Sequence, residues 1–214
     1  MALIINEIFY SIQGESTFAG QACVFVRLTG CNLRCTYCDT RYAYSEGHPM
    51  TVNQIIEKVA EFGCNLVEIT GGEPLLQKDT RQLVQTLLDK GFQVLMETNG
   101  SLDISRIDPA CMKIIDIKCP DSGESDQCDL ANLQRMSSSD QVKFVVSSRQ
   151  DYLYAKSILP RIPVKVSPGN ILFSPVRDNL AGHELAAWIL EDGLRVRLQL
   201  QLHKVLWPEI DRGV

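Results

Sequence analysis

Apolar residues along the chain fall into two spacings, short β-branched runs and longer stretches in which they recur every three or four positions. Between Gln21 and Leu200 the two spacings alternate in about six units, and that order predicts a parallel sheet with helices packed on it. Residues 22–29 form the first continuous apolar run and predict a buried strand. Thr51 precedes a helical pattern to about residue 62, with Ile55, Ile56 and Val59 on one face, and is the expected N-cap. Residues 66–70 predict the next strand. Residues 80–90 predict the next helix, with Leu83, Val84, Leu87 and Leu88 turned inward and Gly91 as its stop.

Further strands are expected at 93–98, 114–118, 141–146 and 163–167, and a late helix at 179–191. Val196, Leu198, Leu200 and Leu202 alternate, which predicts a last strand over 195–202. The stretch 121–140, rich in Ser, Asp, Gln and Gly, is expected to form loops around a short helix, and no linker divides the chain, so residues 1–214 read as one domain. Six or so units fall short of the roughly 250 residues of a closed eightfold barrel. The expected fold class is therefore α/β, a partial, open β/α barrel of about six strands.

Composition narrows the function classes. Of 214 residues, 45% are hydrophobic and 22% charged, which excludes a disordered chain and a coiled coil. Lys and Arg total 21 against 26 Asp and Glu, and a net charge of -5 argues against a nucleic-acid partner and for a small molecule. No apolar run is long enough to cross a bilayer, and the start Met1-Ala2-Leu3-Ile4-Ile5-Asn6-Glu7 has neither the basic residues nor the long apolar stretch of a secretory leader. A cytoplasmic protein without a membrane partner is expected. Thiols stay reduced there, so the eight cysteines read as ligands or buried thiols.

Three of those cysteines crowd into Cys31-Asn32-Leu33-Arg34-Cys35-Thr36-Tyr37-Cys38, a C-x3-C-x2-C spacing directly after the first core strand. Thiolates hold iron–sulfur clusters, and three protein ligands leave one iron open. Zinc prefers four closed ligands in two pairs, and although His48 or Cys64 could serve as the fourth, neither belongs to a second pair. Gly71-Gly72-Glu73-Pro74 follows a later strand, where glycines let backbone approach a ligand closely or simply make a turn.

The cysteine loop, with Tyr37 before its last Cys, and the Gly-Gly-Glu-Pro motif resemble the radical S-adenosylmethionine superfamily. Ser11-Ile12-Gln13-Gly14-Glu15, Phe25-Val26-Arg27-Leu28-Thr29-Gly30-Cys31, Cys38-Asp39-Thr40 and Gln199-Leu200-Gln201-Leu202-His203-Lys204 make nearly the whole chain similar to the 7-carboxy-7-deazaguanine synthase family. The resemblance implies a lyase that converts 6-carboxy-5,6,7,8-tetrahydropterin to 7-carboxy-7-deazaguanine with loss of ammonia, a step toward queuosine. It implies a 4Fe-4S cluster, S-adenosylmethionine used catalytically, magnesium, a flavodoxin or ferredoxin as electron donor, and a homodimer. Its course is hydrogen abstraction at C6 by an adenosyl radical, ring contraction, return of the hydrogen and elimination of ammonia.

Carried over residue by residue, the resemblance implies that Cys31, Cys35 and Cys38 hold the cluster and Thr40 lends an oxygen to magnesium. Ile12, Gln13, Gly14, Glu15, Arg27 and Thr70 would meet the pterin. Gln13 would offer donor and acceptor to its mixed edge, and Arg27 its fork to the carboxylate. A structural Arg–carboxylate pair is the alternative for Arg27, as mutual pairing is for the strand-end groups. Tyr37, Cys38, Asp39, Gly72, Glu73, Asp116, Lys118 and Ser174 would border S-adenosylmethionine. Ser16 stands where the family commonly has Gly, which touches only the local loop shape. No side chain is assigned as a catalytic base, and His203, Lys204 and the tail 207–214 stay without roles. Two rivals keep the cysteine loop: a glycyl-radical-enzyme activase, and an electron carrier that recruits Cys64 as a fourth ligand.

Overall fold

Strands made of continuous β-branched residues must be covered on both faces, and the computed structural model, which describes residues 2–214, shows how this chain covers them. The elements run β1 (Ala2–Ile12), β2 (Ala22–Leu28), β3 (His48–Thr51), α1 (Val52–Ala60), β4 (Leu66–Gly71), α2 (Thr80–Asp89), β5 (Gln93–Thr98), β6 (Met112–Ile117), α3 (Asn132–Arg135), β7 (Gln141–Val146), α4 (Arg149–Ile158), β8 (Ile171–Pro175), α5 (Gly182–Glu191), β9 (Arg197–Leu198) and α6 (Leu202–Leu206). The strands form one sheet in the order β3-β1-β2-β4-β5-β6-β7-β8-β9. From β2 onward every neighbour is parallel, with Arg27 opposite Thr70 and Asp116 opposite Lys143. β1 pairs antiparallel with β2 and β3, and the sheet stays open between β3 and β9. This is the expected α/β open barrel.

Period-two alternation sorts the strand residues onto two faces. Val24, Val26, Leu28, Val67 and Ile69 face outward and pack with Ile55, Ile56 and Val59 of α1 and Leu83, Val84 and Leu87 of α2. Val142, Phe144, Val146 and Phe173 form a second outer core with Tyr152 and Ala155 of α4 and Leu185 and Ile189 of α5. On the inner face Phe9, Cys23, Phe25, Leu66, Leu95 and Ile114 make an apolar plug. Thr51 caps α1 as expected, accepting from the Gln54 amide at 3.3 Å while Gln54 Oε1 accepts from the Thr51 amide at 2.8 Å.

Several expected elements shift. The sheet has nine strands rather than about six, because β1 and β3 add an antiparallel edge and β9 a two-residue one. β1 hides from a periodicity search because its register slips between Ile5 and Glu7, so one alternation ends and another begins. The strand expected at 163–167 is a turn, with the Val166 amide donating to Pro163 O at 2.9 Å; prolines at 163 and 168 leave too few donors for a ladder, and β8 forms just afterward. The strand expected over 195–202 frays after Leu198, since Gln201 turns the chain into α6 and the Leu202 amide donates to Gly14 O at 2.9 Å. The late helix begins at Gly182 rather than 179, the helix after Thr51 ends at Ala60 rather than 62, and α4 lies where no element was expected. Among the described residues no helix is long and apolar enough to cross a membrane.

Gly71 ends β4 at φ +141°, and a Cβ there would sit 2.2 Å from Leu28 O. Gly71→Ala is therefore expected to cost on the order of 3 kcal/mol, since backbone conformation and backbone contact are both violated. Urea unfolding midpoints of the two proteins check this.

Candidate active site

At the carboxyl ends of the parallel strands the inner face changes from apolar to ionic, and a cavity of about 700 Å³ opens above the plug. Arg27 of β2, Glu68 and Thr70 of β4, Glu97 of β5, Asp116 of β6 and Lys143 of β7 all line it. The register that aligns the outer apolar residues forces these inward residues together. Lys143 Nζ lies 2.9 Å from Glu15 Oε2 and 3.7 Å from Asp116 Oδ2, and it also bonds Glu97 Oε1. Lys118 Nζ takes the same Asp116 oxygen at 2.7 Å, leaving Asp116 Oδ1 buried without a protein partner.

Electrostatics divide the carboxyls. Burial penalises the Lys143 ammonium, yet Glu15, Glu97 and Asp116 outweigh it and hold its pKa well above the usual lysine range. Burial likewise opposes ionisation of Glu15, but Lys143 and His203 pull its carboxyl below the ordinary value. Glu68 goes the other way: burial, then the charges of Glu97 and Glu15, push it well above the carboxylate range against the pull of Lys143. Glu97 is raised mainly by burial, with Lys143 opposing. Desolvation lowers His203, so its imidazole favours the neutral form despite Glu15 and Asp39.

The cysteine loop forms the roof on one side. Gly30, at φ +99°, turns the chain out of β2, and its amide donates to Ala43 O at 2.8 Å. Cys31, Cys35 and Cys38 all line the cavity. Cys31 Sγ accepts from the Leu33 amide at 3.4 Å and from Asn99 Nδ2 at 3.8 Å. Gly72 packs against the root of this loop: a Cβ there would lie 2.0 Å from Gly30 O and 2.9 Å from Cys31 Cβ, and the Glu73 amide donates to Gly30 O at 2.7 Å. The close approach that the glycine pair permits is thus first of all to the chain's own backbone. The opposite wall is the C-terminal segment. Gly14 leaves room for His203, whose Nδ1 would lie 2.4 Å from a Cβ at that position, Gln201 Nε2 donates to Glu15 Oε1 at 2.9 Å, and Lys204 Nζ pairs with Asp39 Oδ2 at 2.5 Å.

Residues 25–117 match the Radical SAM superfamily. A protein of Chlorobaculum tepidum named 7-carboxy-7-deazaguanine synthase is 47% identical over 99% of this chain and 97% of its own. One of Koribacter versatilis with the same name is 41% identical over 98% of this chain and 99% of its own. The chain belongs to the 7-carboxy-7-deazaguanine synthase family. The crystal structure of QueE from Escherichia coli shares the fold, with a TM-score of 0.79 at 22% identity over 94% of both chains. Family membership implies an enzyme with a 4Fe-4S cluster and S-adenosylmethionine.

The residues fit that pair of groups. Burial raises the Cys31 and Cys35 thiols, Cys35 to about 11, and the neighbouring cysteines raise them further, so a bound cationic cluster would favour their thiolate forms. The orphan Asp116 Oδ1 offers an acceptor to a donor-bearing ligand in the same cavity.

Of the residues singled out from sequence, Ile12, Gln13, Gly14, Glu15, Arg27, Cys31, Cys35, Tyr37, Cys38, Asp39, Thr40, Thr70, Gly72, Asp116 and Lys118 line this one cavity. Two do not. Glu73 is fully buried and accepts from Thr98 Oγ1 at 2.9 Å and from the Asn99 amide at 2.7 Å, so it braces the strand ends beside the cavity. Ser174 is fully buried outside the lining, its Oγ unpartnered. Gln13 lines the cavity, but its carboxamide is already engaged, Nε2 on Glu68 Oε2 and Oε1 from the Glu15 amide at 2.9 Å. Asp116 and Lys118 pair with each other, the alternative the sequence left open. Sequence reading passed over Lys143, Glu68 and Glu7, although an ionisable residue at an inward position of a buried strand was a usable signal for the first two. Cys64 Sγ donates to Ala22 O at 3.4 Å, at the amino end of β2, and so cannot reach a cluster at the carboxyl end. An electron carrier is not favoured, and the family of full-length relatives does not favour an activase.

Glu68 yields a pH prediction. Its folded pKa lies above its unfolded one, so its contribution to stability is fully present below the ordinary carboxylate range and is lost as pH rises toward the raised value. Glu68→Gln keeps the oxygen that Gln13 needs and removes the titration. Urea midpoints taken between about pH 5 and 8 should fall less steeply with rising pH in the variant than in the native protein.

Proposed function

We propose that the protein converts 6-carboxy-5,6,7,8-tetrahydropterin to 7-carboxy-7-deazaguanine with loss of ammonia. The observation that carries this reading is that a single cavity is lined by three cysteine thiols and by Glu15 and Arg27, in a chain matched end to end by relatives of that name. When bound, the cluster and S-adenosylmethionine supply a carbon-centred radical, which the substrate needs because its C–H bond is too weakly acidic for any side-chain base.

The chain's own residues bind and orient. Cys31, Cys35 and Cys38 hold the cluster, while Gly72, Tyr37, Asp116 and Lys118 border the sulfonium cofactor. Arg27 gives its Nε to Glu7 and keeps both terminal nitrogens free of protein acceptors among the described residues, a fork suited to the substrate carboxylate. Glu15, ionised beside Lys143, accepts from the N–H edge of the pterin. Gln13 acts through the protein, fixing Glu15 from one end of its amide and Glu68 from the other. Thr40 donates to Asp39 Oδ1 at 2.9 Å at the cavity wall, and these two oxygens, with substrate oxygens and water, would complete a magnesium shell.

The same reading takes residues 1–214 as one radical S-adenosylmethionine domain, supported by the continuity of the sheet from β3 to β9. It includes a homodimer, a cytoplasmic setting in which thiols stay reduced, and delivery of the electron by a flavodoxin or ferredoxin. The exposure of Asn32 and Arg34, in the cysteine loop but outside the cavity lining, supports access for such a donor.

Anaerobic reconstitution with iron and sulfide, followed by S-adenosylmethionine, a reductant, magnesium and the pterin, should yield 7-carboxy-7-deazaguanine by mass spectrometry. Formation of 5'-deoxyadenosine alone would leave radical chemistry standing and sink the substrate. Cys31→Ala, Cys35→Ala and Cys38→Ala are each expected to lose both the cluster's visible absorption and turnover. Magnesium activation should survive better in Thr40→Ser than in Thr40→Val, and equal loss in the two would count against a hydroxyl ligand.

A further inference from the structure

Glu7 lies outside every motif, does not line the cavity, and still makes the one ion pair that Arg27 has among the described residues. Its place is set by a backbone irregularity. Leu3 and Ile5 of β1 belong to the outer core, and continued alternation would send residue 7 outward as well. The register instead slips between Ile5 and Glu7: Ile5 pairs with Leu28, Glu7 with Arg27 and Phe9 with Phe25. That bulge turns Glu7 and Phe9 to the inner face, and Phe9 joins the plug beneath the cavity.

The result is a holder built around one guanidinium. Glu7 Oε1 takes Arg27 Nε at 2.7 Å, the Phe9 ring lies 5.5 Å from the guanidinium carbon, and the Tyr42 ring lies 5.8 Å from it. Tyr42 Oη in turn donates to Glu7 Oε1 at 3.2 Å, which fixes the carboxylate that fixes the arginine. The Phe9 ring is itself stacked on Phe25 at 4.9 Å. Such an arrangement restricts rotation of the guanidinium plane while leaving its two terminal nitrogens unpaired. A free arginine side chain loses much rotamer freedom when it grips a carboxylate, and a held one loses less.

We infer that Glu7 is a positioning residue, carried to the inner face by the bulge, that orients Arg27 for a substrate carboxylate without touching the substrate. This rests on the reading of Arg27 given above. Because the effect is orientation and not charge, a neutral acceptor of the same length should serve, and it should also relieve competition for the guanidinium.

The test uses the reconstituted enzyme without reductant, so that binding is read without turnover. Isothermal titration calorimetry with 6-carboxytetrahydropterin is expected to show about tenfold weaker binding for Glu7→Ala and affinity within about threefold of native for Glu7→Gln, the loss of one charge-assisted hydrogen bond being of this order. Affinity for tetrahydropterin, which lacks the carboxylate, should stay within about twofold in both variants, and in turnover KM should rise in Glu7→Ala with kcat nearly unchanged. Parallel loss of tetrahydropterin binding would reveal a merely structural role and overturn the inference. So would native affinity in Glu7→Ala, or a Glu7→Gln as weak as Glu7→Ala. Arg27→Ala run alongside separates the two levels: weakened binding there with a silent Glu7→Ala rejects only Glu7, whereas native binding in Arg27→Ala removes the carboxylate reading and this inference with it.

Discussion

The ammonium of Lys143, 4% exposed on the inner face of β7, holds the site together. The parallel register brings carboxylates from β5 and β6 onto that face, and the loop after β1 adds Glu15. Without a cation among them these groups would repel one another in a medium that screens poorly. A buried ion pair contributes little net stability, but removing one partner leaves an uncompensated charge, so the cluster dictates which arrangement of strands and loop is tolerated. Glu68, held toward its neutral form, lowers the number of negative charges that a single lysine must balance.

From this centre the order spreads in two directions. Through Glu15 it reaches Gln201, and so fixes the C-terminal segment against the loop that carries Gly14. Through Asp116 it reaches Lys118, beside the cysteines, where the Lys118 ammonium opposes the burial that raises the Cys35 thiol. The cysteine loop itself is set by backbone contact instead of charge. Gly71 and Gly72 let the turn after β4 lie against the end of β2 and the root of the loop, a closeness that any side chain would prevent.

The tail borders the cavity with contacts of a third kind. Trp207, Pro208, Ile210 and Asp211 line it, Arg212 stacks 4.1 Å from the Tyr42 ring and pairs with Glu46 at 2.9 Å, and Tyr42 Oη reaches Asp211 O at 3.2 Å. Tyr42 therefore stands between the tail and the Glu7–Arg27 pair. Burial, and then Glu7, push its phenol up to about 12, so it remains a hydroxyl and a donor at neutral pH.

Much of this was legible along the chain, and for local reasons. The continuous apolar strands 22–28, 66–71, 93–98 and 141–146, the cap at Thr51 and the stop at Gly91 follow from periodicity and backbone preference, which act within a few residues. The cysteine spacing and the Gly-Gly pair announced cluster chemistry because thiol and glycine have few substitutes in those tasks. What only the tertiary structure decided involves partners far apart in sequence. A bulge in β1 turned Glu7 onto Arg27, twenty residues on, and the cavity-lining Gln13 met Glu68, far along the chain. The fraying of β9 depended on Gly14 accepting from Leu202, and the inward turn of Glu73 on Thr98 and Asn99. Composition and spacing determine which groups a chain owns, but which of them are left free to bind is settled by the hydrogen bonds and charges that meet across the folded sheet.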